Sequence, residues 1–321
     1  MKEVILFAHM LICTCMFGQS SLLSLKSPIL FKGDSVTAYR DPAVLYYNKT
    51  FFLFFTLVEV EKDGKVFSYA ATSSSKDLNN WTAPRKITPR DQKLNYCSPG
   101  NIIRYKNEWV LCLQTYPRPD LYITQPVRYG NGTARVYTMQ SKDLVNWDPP
   151  EILMVKGNDI PVEKMGRMID PYLIGDKEIK GKYWCFYKQN GVSMSYTYDL
   201  KNWTFSGIVE AGENVCVLSE NNEYILFHSP SNGIGIKKSK DLKNWETWGD
   251  LITLGQEDWN WAKGRITAGA VINMKNVRGF EHYLMFFHGS GPLKENQGDF
   301  DKNASIGIAW SKDLIHWIWP K

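Results

Sequence analysis

Three carboxylates stand at the starts of strand-like segments: Asp41 in YRDPAV, Asp170 in MIDPYL and Glu213 in GENVCV. Two of them precede a proline, which can open a strand because no ladder donor is needed there. A single Asp-Pro would be no more than a strand opener. Three acids meeting at one point are different, because like charges held together raise one another's pKa and so separate a proton donor from a proton acceptor. A carboxyl that keeps its proton can act as a general acid, and one that stays ionised can act as a general base. Something in the chain must bring them together.

That something is a repeat. The heptad SKDLKNW (Ser239 to Trp245) recurs as SKDLNNW from Ser75, SKDLVNW from Ser141, TYDLKNW from Thr197 and SKDLIHW from Ser311. The motif tryptophans fall at 81, 147, 203, 245 and 317, so the period drifts. Before each copy comes a short apolar run, a turn, an aromatic-rich run and a third run leading into the motif. Short alternating or apolar runs bounded by Asn, Gly, Lys and Asp are strand and hairpin grammar. No amphipathic helix of ten or more residues is evident. Repeated sheets at this spacing predict an all-β fold, a five-bladed β-propeller with antiparallel four-stranded blades around a central channel. Five units with DLxxW at a drifting period do not fit a WD40 ring. Within the motif the Asp and Asn suit turn amides, the Leu packs inward, and the Trp fills the wedge between blades. The motif therefore reads as the joint of a ring and not as a ligand site.

The remaining features bound the reading. Residues 1–18 include an apolar run, VILFAHMLICTCMFG, of the kind found in a secretory leader. It predicts export to a periplasmic or extracellular space, with residues 19–321 as one propeller domain. Lipidation at Cys13 is disfavoured, since MLIC lacks the small residue expected ahead of a lipidated cysteine. The run is short for a membrane span. A net charge of +5 with no basic block does not suggest nucleic acid as a partner. Cys97, Cys112, Cys185 and Cys216 lack metal-type spacing and sit in apolar runs, which favours buried thiols over disulfides. Nothing points to a partner subunit, and a monomer is expected.

In a propeller the innermost strand of each blade lines the channel, so its start lies at the common mouth. The five starts are Asp41, the Ser98 to Asn101 stretch SPGN, Asp170, Glu213 and the Arg265 to Thr267 stretch GRIT. Three of the five carry a carboxylate. Glu210, three residues before Glu213, is a rival for the third.

This arrangement resembles glycoside hydrolase family 43, five-bladed enzymes that cleave arabinofuranosides, xylosides and some galactosides. Arg40-Asp41-Pro42 matches the family's blade-one aspartate, and Ile169-Asp170-Pro171 its blade-three aspartate. Glu213 stands for the blade-four glutamate by register, with Asn214-Val215 in place of the usual Gly-Pro. The resemblance spans the mature chain and implies roles. Asp41 would be the base that activates a water, Glu213 the acid, and Asp170 the neighbour that raises the acid's pKa. It also implies an oligosaccharide or polysaccharide substrate and an inverting mechanism with no required cofactor. Arg40, Asn101 and Arg265 would bind sugar, and Trp184, Trp259 and Trp261 are candidate stacking platforms. His288 in FFHGSG resembles a histidine that in some relatives helps hold a calcium or sodium ion in the channel, although a core histidine would look the same. Two other readings stay open. One is a retaining enzyme of the sucrose-type clan with Asp41 as nucleophile. The other is a catalytically silent carbohydrate-binding propeller, for which the altered blade-four start speaks. The long loops, Pro117 to Gly132 and Pro149 to Met168, suggest a narrowed pocket but do not name the sugar.

Overall fold

A computed structural model describes residues 21–126, 130, 132–294, 297 and 302–320. The leader, residues 1–18, lies outside them. The described residues are almost all β, with short 3-10 turns at Ser21–Ser24 and Val162–Lys164. Strand β1 (Ile29–Phe31) comes first and is used last. Blade one then holds β2 (Thr37–Tyr47), β3 (Thr50–Val60), β4 (Val66–Ser75) and β5 (Arg85–Lys86). In blade two the inner strand is split into β6 (Tyr96–Cys97) and β7 (Ile102–Tyr105). Both pieces pair with β8 (Glu108–Thr115), which β9 (Val136–Ser141) and β10 (Glu151–Ile152) follow. Blade three holds β11 (Ile169–Gly175), β12 (Tyr183–Lys188), β13 (Val192–Thr197) and β14 (Thr204–Val209). Blade four holds β15 (Glu213–Glu220), β16 (Glu223–Ser229), β17 (Gly235–Ser239) and β18 (Glu246–Thr247). Blade five holds β19 (Arg265–Asn273), β20 (Tyr283–Ser290), β21 (Ser305–Ser311) and β22 (Trp317–Ile318). All pairings are antiparallel, so the five-bladed propeller is as expected.

Closure of the ring was not legible in the repeat. Strand β1, from the N-terminal end, adds to β21 of the last blade with Ile29 opposite Gly307. The first and last strands of the described residues thus share a sheet, which ties the start of the ring to its end.

The repeated heptad is the joint. In each copy the Ser or Thr hydroxyl accepts from the amide two residues on, and the Asp carboxylate accepts from the amides two and three residues further. The Asn or His three residues on, through amide and side chain together, holds each Asp below the ordinary carboxylate range. This wrapping drives the motif leucine into the left-handed region: Leu78, Leu144, Leu200, Leu242 and Leu314 have φ between 59° and 72°. Such a conformation costs a leucine about 1–3 kcal/mol. Burial offsets it, since Leu78, Leu144, Leu242 and Leu314 lie in the core. Each motif Trp then packs on the blade before it. Trp147 meets Phe54, Trp245 meets Phe186, Trp317 meets Phe227, and Trp81 meets Phe31 of the closing strand. Trp203 joins Val110 and Cys112 of blade two. Leu314→Ala should therefore cost about 2–5 kcal/mol, read as a lowered melting midpoint; a shift no larger than that of a surface substitution would contradict the joint assignment. Cys97, Cys112, Cys185 and Cys216, the cysteines among the described residues, are free and buried.

Candidate active site

The five innermost strands share one local defect. The register of β2, β11, β15 and β19 against the next strand slips after Arg40, Ile169, Glu213 and Thr267. Blade two breaks its inner strand at the same place. At each slip one residue is left-handed: Asp41 (φ 47°), Ser98 (φ 42°), Asp170 (φ 52°), Asn214 (φ 51°) and Ala268 (φ 56°). These are β-bulges, which bend the strand and re-aim one side chain. Asp and Asn tolerate the left-handed conformation better than most residues.

The bulge ring corrects one element of the sequence reading. The blade-four equivalent of Asp41 and Asp170 is Asn214, and Glu213 sits one residue earlier, in register with Arg40, Cys97 and Ile169. Glu213 still reaches the same cavity, but from a neighbouring position. The exposed Glu210 does not line it.

The bulges are held by a relay around the ring. Asp41 N–H donates to His288 Nδ1 at 3.0 Å, Ser98 N–H to Thr56 Oγ1 at 2.7 Å, and Ala268 N–H to Ser229 Oγ at 2.9 Å. Asp170 N–H donates to Gln114 Oε1. His288, Thr56, Gln114 and Ser229 occupy equivalent places on the second strands, opposite Thr267, Arg40, Cys97 and Glu213. In each case the blade before supplies the acceptor. In blade three that place holds Lys188, which has no lone pair to offer. There the Asp170 carboxylate substitutes, accepting from Asn214 N–H at 3.2 Å. His288 is thus a fully buried acceptor closing the relay between blades five and one. Its Nδ1 is spent on Asp41, and among the described residues no group of three or more His, Cys, Asp or Glu stands in metal-binding geometry.

Above the ring opens a cavity of about 120 Å³ to which all five blades contribute. Asp41, Asp170 and Glu213 all line it, as do Arg40 and Arg265. Below it a narrower space of about 20 Å³, lined by the five bulges and the residues after them, is the central channel. Asp41 is nearly buried, and both the Thr56 and Ser98 hydroxyls donate to its Oδ2, at 2.9 and 2.8 Å. Its Oδ1 lies 3.5 Å from His288 Nδ1. Asp170 is buried deeper, and that burial, with the carboxyls of Glu213 and Asp41 close by, pushes its pKa up to about 8. Glu213 is the most open of the three, and its Oε1 pairs with Arg265 Nη2 at 2.6 Å.

Four expected sugar-binding residues lie elsewhere. Asn101 clips blade two to blade three, accepting from Leu173 N–H and donating to Leu173 O. Trp184 is buried in blade three with its Nε1–H on Asp176. Trp259 and Trp261 stack on each other and on Phe287, against the core of blades four and five. None of the four lines the cavity. Sequence reasoning placed Ser98 only as part of a strand start, and it missed Thr56, which binds the Asp41 carboxylate, Gln114, which accepts from Asp170 N–H, and Tyr116, Arg118 and Arg167, which wall the cavity. For Thr56 and Gln114 a signal existed: a polar residue closing an otherwise apolar second strand, as in FFLFFT and VLCLQT. The last three come from the ends of the two long loops, where no periodicity marks them.

No protein-family model matches the chain, and no curated protein matches it. Solved structures do. The chain is similar to a thermostable family-43 glycoside hydrolase (TM-score 0.60, 11% identity, 89% of this chain and 92% of that one). It is similar to the catalytic domain of a Coprinopsis cinerea GH62 alpha-L-arabinofuranosidase (TM-score 0.61, 14% identity, 88% and 94%). It is also similar to an exo-1,5-alpha-L-arabinanase from a bovine ruminal metagenomic library (TM-score 0.57, 15% identity, 87% and 95%). Across nearly its whole described length, the chain has the five-bladed fold of these glycoside hydrolase structures.

Proposed function

We propose that the protein is a glycoside hydrolase that cleaves a glycosidic bond of an oligosaccharide or polysaccharide in the cavity above the bulge ring. One observation carries the reading: carboxyl groups from blades one, three and four open on a single cavity. The similarity to glycosidase structures supports it.

Asp41 is the base. Two hydroxyls fix its Oδ2, which leaves Oδ1 to take a proton from the attacking water. Glu213, the most open of the three, is the acid that protonates the leaving oxygen. Burial, with the carboxyls of Glu213 and Asp41 close by, keeps a proton on Asp170 near neutral pH, beside the acid. Arg265 pairs with Glu213 Oε1 at rest. A substrate that engages Arg265 frees the Glu213 carboxyl to face the leaving oxygen. Acid, base and water complete the step, so the reading needs no cofactor. A monomeric, exported enzyme fits such a substrate. Among the described residues no helix is long and apolar enough to cross a membrane.

The test of the acid is its dependence on the leaving group. Glu213→Gln should lose about 10²–10⁴-fold on alkyl or sugar leaving groups, and far less on dinitrophenyl glycosides, whose leaving group needs no proton. An equal loss on both would remove Glu213 from the acid role. Product anomers read by NMR decide between inversion and a retaining route with Asp41 as nucleophile. A specific observation keeps a second reading in view: Asn214 stands where blades one and three carry aspartate, and Arg265 neutralises Glu213. A silent, sugar-binding propeller would bind oligosaccharides but turn over none of a broad panel.

A further inference from the structure

The cavity holds more cationic side chains than acid–base chemistry on a neutral sugar calls for. Four guanidinium groups line it, those of Arg40, Arg118, Arg167 and Arg265, against three carboxyls. Arg265 is matched to Glu213, and Arg118 donates through Nη2 to Ser68 Oγ at 3.2 Å. Arg167 is different. It is half-buried, hydrogen-bonds the Tyr116 side chain, and lies with its guanidinium carbon 5.9 Å from that ring. Among the described residues no carboxylate forms an ion pair with it.

The backbone that carries Arg167 is pinned on both sides. Gln189 Nε2 donates to Met165 O and Arg167 O, both at 2.9 Å. Arg135, itself buried, spends its guanidinium on carbonyls, including Val162 O at 2.9 Å and Gly166 O at 2.7 Å. Gly166 has a φ of 76°, and a Cβ there would meet Gln189 Nε2 at 3.0 Å. A buried arginine, a half-buried glutamine and a left-handed glycine thus fix the position of one arginine at the cavity wall. A guanidinium is weakly hydrated and planar, and its best partner is a carboxylate bound through two parallel hydrogen bonds. Asp170 does not supply that charge, since burial and its acidic neighbours keep it protonated near neutral pH.

We propose that the sugar unit bound in this cavity carries a carboxylate, as a hexuronic acid does, and that Arg167 reads that group. The proposal rests on the glycosidase reading for the nature of the ligand as a sugar, and it makes Arg167 a specificity-determining residue of that site. The carboxylate adds a bidentate ion pair that a neutral hexose, with a hydroxymethyl group in the same place, cannot form.

The test is calorimetric binding to the whole protein. D-galacturonate is compared with D-galactose, D-glucuronate with D-glucose, and galactose 6-sulfate serves as a second anion. A uronate should bind about 10–100-fold more tightly than its neutral partner, and added salt should narrow the difference. Arg167→Gln should bring the pair to near parity with an unchanged melting midpoint, while Arg167→Lys keeps part of the preference. Equal or tighter binding of the neutral sugars, a full uronate preference in Arg167→Gln, or preference for the sulfate over both uronates would overturn the proposal. If Arg167→Gln does not fold, the wild-type comparison decides alone. Binding and turnover fail separately. Uronate binding without hydrolysis of any uronoside would sink the hydrolase reading and leave this one standing. Hydrolysis of neutral glycosides with no uronate binding would do the reverse.

Discussion

Asp41→Asn is expected to remove hydrolysis by about 10²–10⁴-fold on every substrate, whatever its leaving group. The substitution is close to isosteric, and what it deletes is the ability to take a proton. An amide oxygen can still accept from the Thr56 and Ser98 hydroxyls that bind Oδ2. The backbone of the bulge is untouched, since the Asp41 N–H to His288 bond does not involve the side chain. Asn also tolerates the left-handed φ of 47° at this position. The variant should therefore fold with a melting midpoint close to that of the wild type, so that lost activity reports chemistry and not collapse. The contrast with Glu213→Gln is the informative part. Water activation is needed for good and poor leaving groups alike, so the Asp41 loss is flat across a leaving-group series where the Glu213 loss is steep. Retained activity of Asp41→Asn on any substrate of the wild type would end the base assignment.

The ring was legible because its evidence is local. SKDLxxW compresses a turn, a buried leucine and a wedge tryptophan into seven letters, and each copy makes the same contacts with the blade before it. The carboxylates were legible because the inner strands open at the mouth. What failed was counting through a bulge. Side chains alternate along a strand, and an extra residue shifts the register by one, so Glu213 and Asn214 could not be told apart from the strand start alone. Counting from the other end would have worked. The left-handed turn residue Asn48 lies seven after Asp41, and its blade-four counterpart Asn221 lies seven after Asn214. The aromatic assignments failed for a different reason. A tryptophan packed between blades and one stacked on a sugar have the same composition signature, and Trp184, Trp259 and Trp261 all took the first role. Arg118 and Arg167 were invisible because loop residues owe their positions to anchors such as Arg135 and Gln189, which are distant in sequence.

Asp170→Asn should move activity and stability in opposite directions. The folded protein keeps a proton on Asp170 up to a pH of about 8, because burial and then the Glu213 and Asp41 carboxyls oppose its charge. An unfolded chain releases that proton near the ordinary aspartate value of about 4. Between those limits the folded state binds the extra proton, so stability falls as pH rises, by at most about 1.4 kcal/mol per pH unit. Above a pH of about 8 the folded protein carries the full penalty of a buried charge. The amide of the variant does not titrate, and its oxygen can still accept the Asn214 N–H that now reaches Oδ2. The variant should lose this slope, so its melting midpoint should fall less than the wild type's between pH 5 and pH 8 and stand above it at pH 8. Activity should go the other way. The amide cannot hold the proton that Asp170 keeps beside Glu213, so turnover at neutral pH should be reduced by about 10²-fold or more. Melting curves that run parallel to the wild type's across that range would show that Asp170 is not the group that holds the proton. A site that stores a proton in a buried carboxyl gives up folding stability to keep a donor available, and this one substitution measures both sides of that exchange.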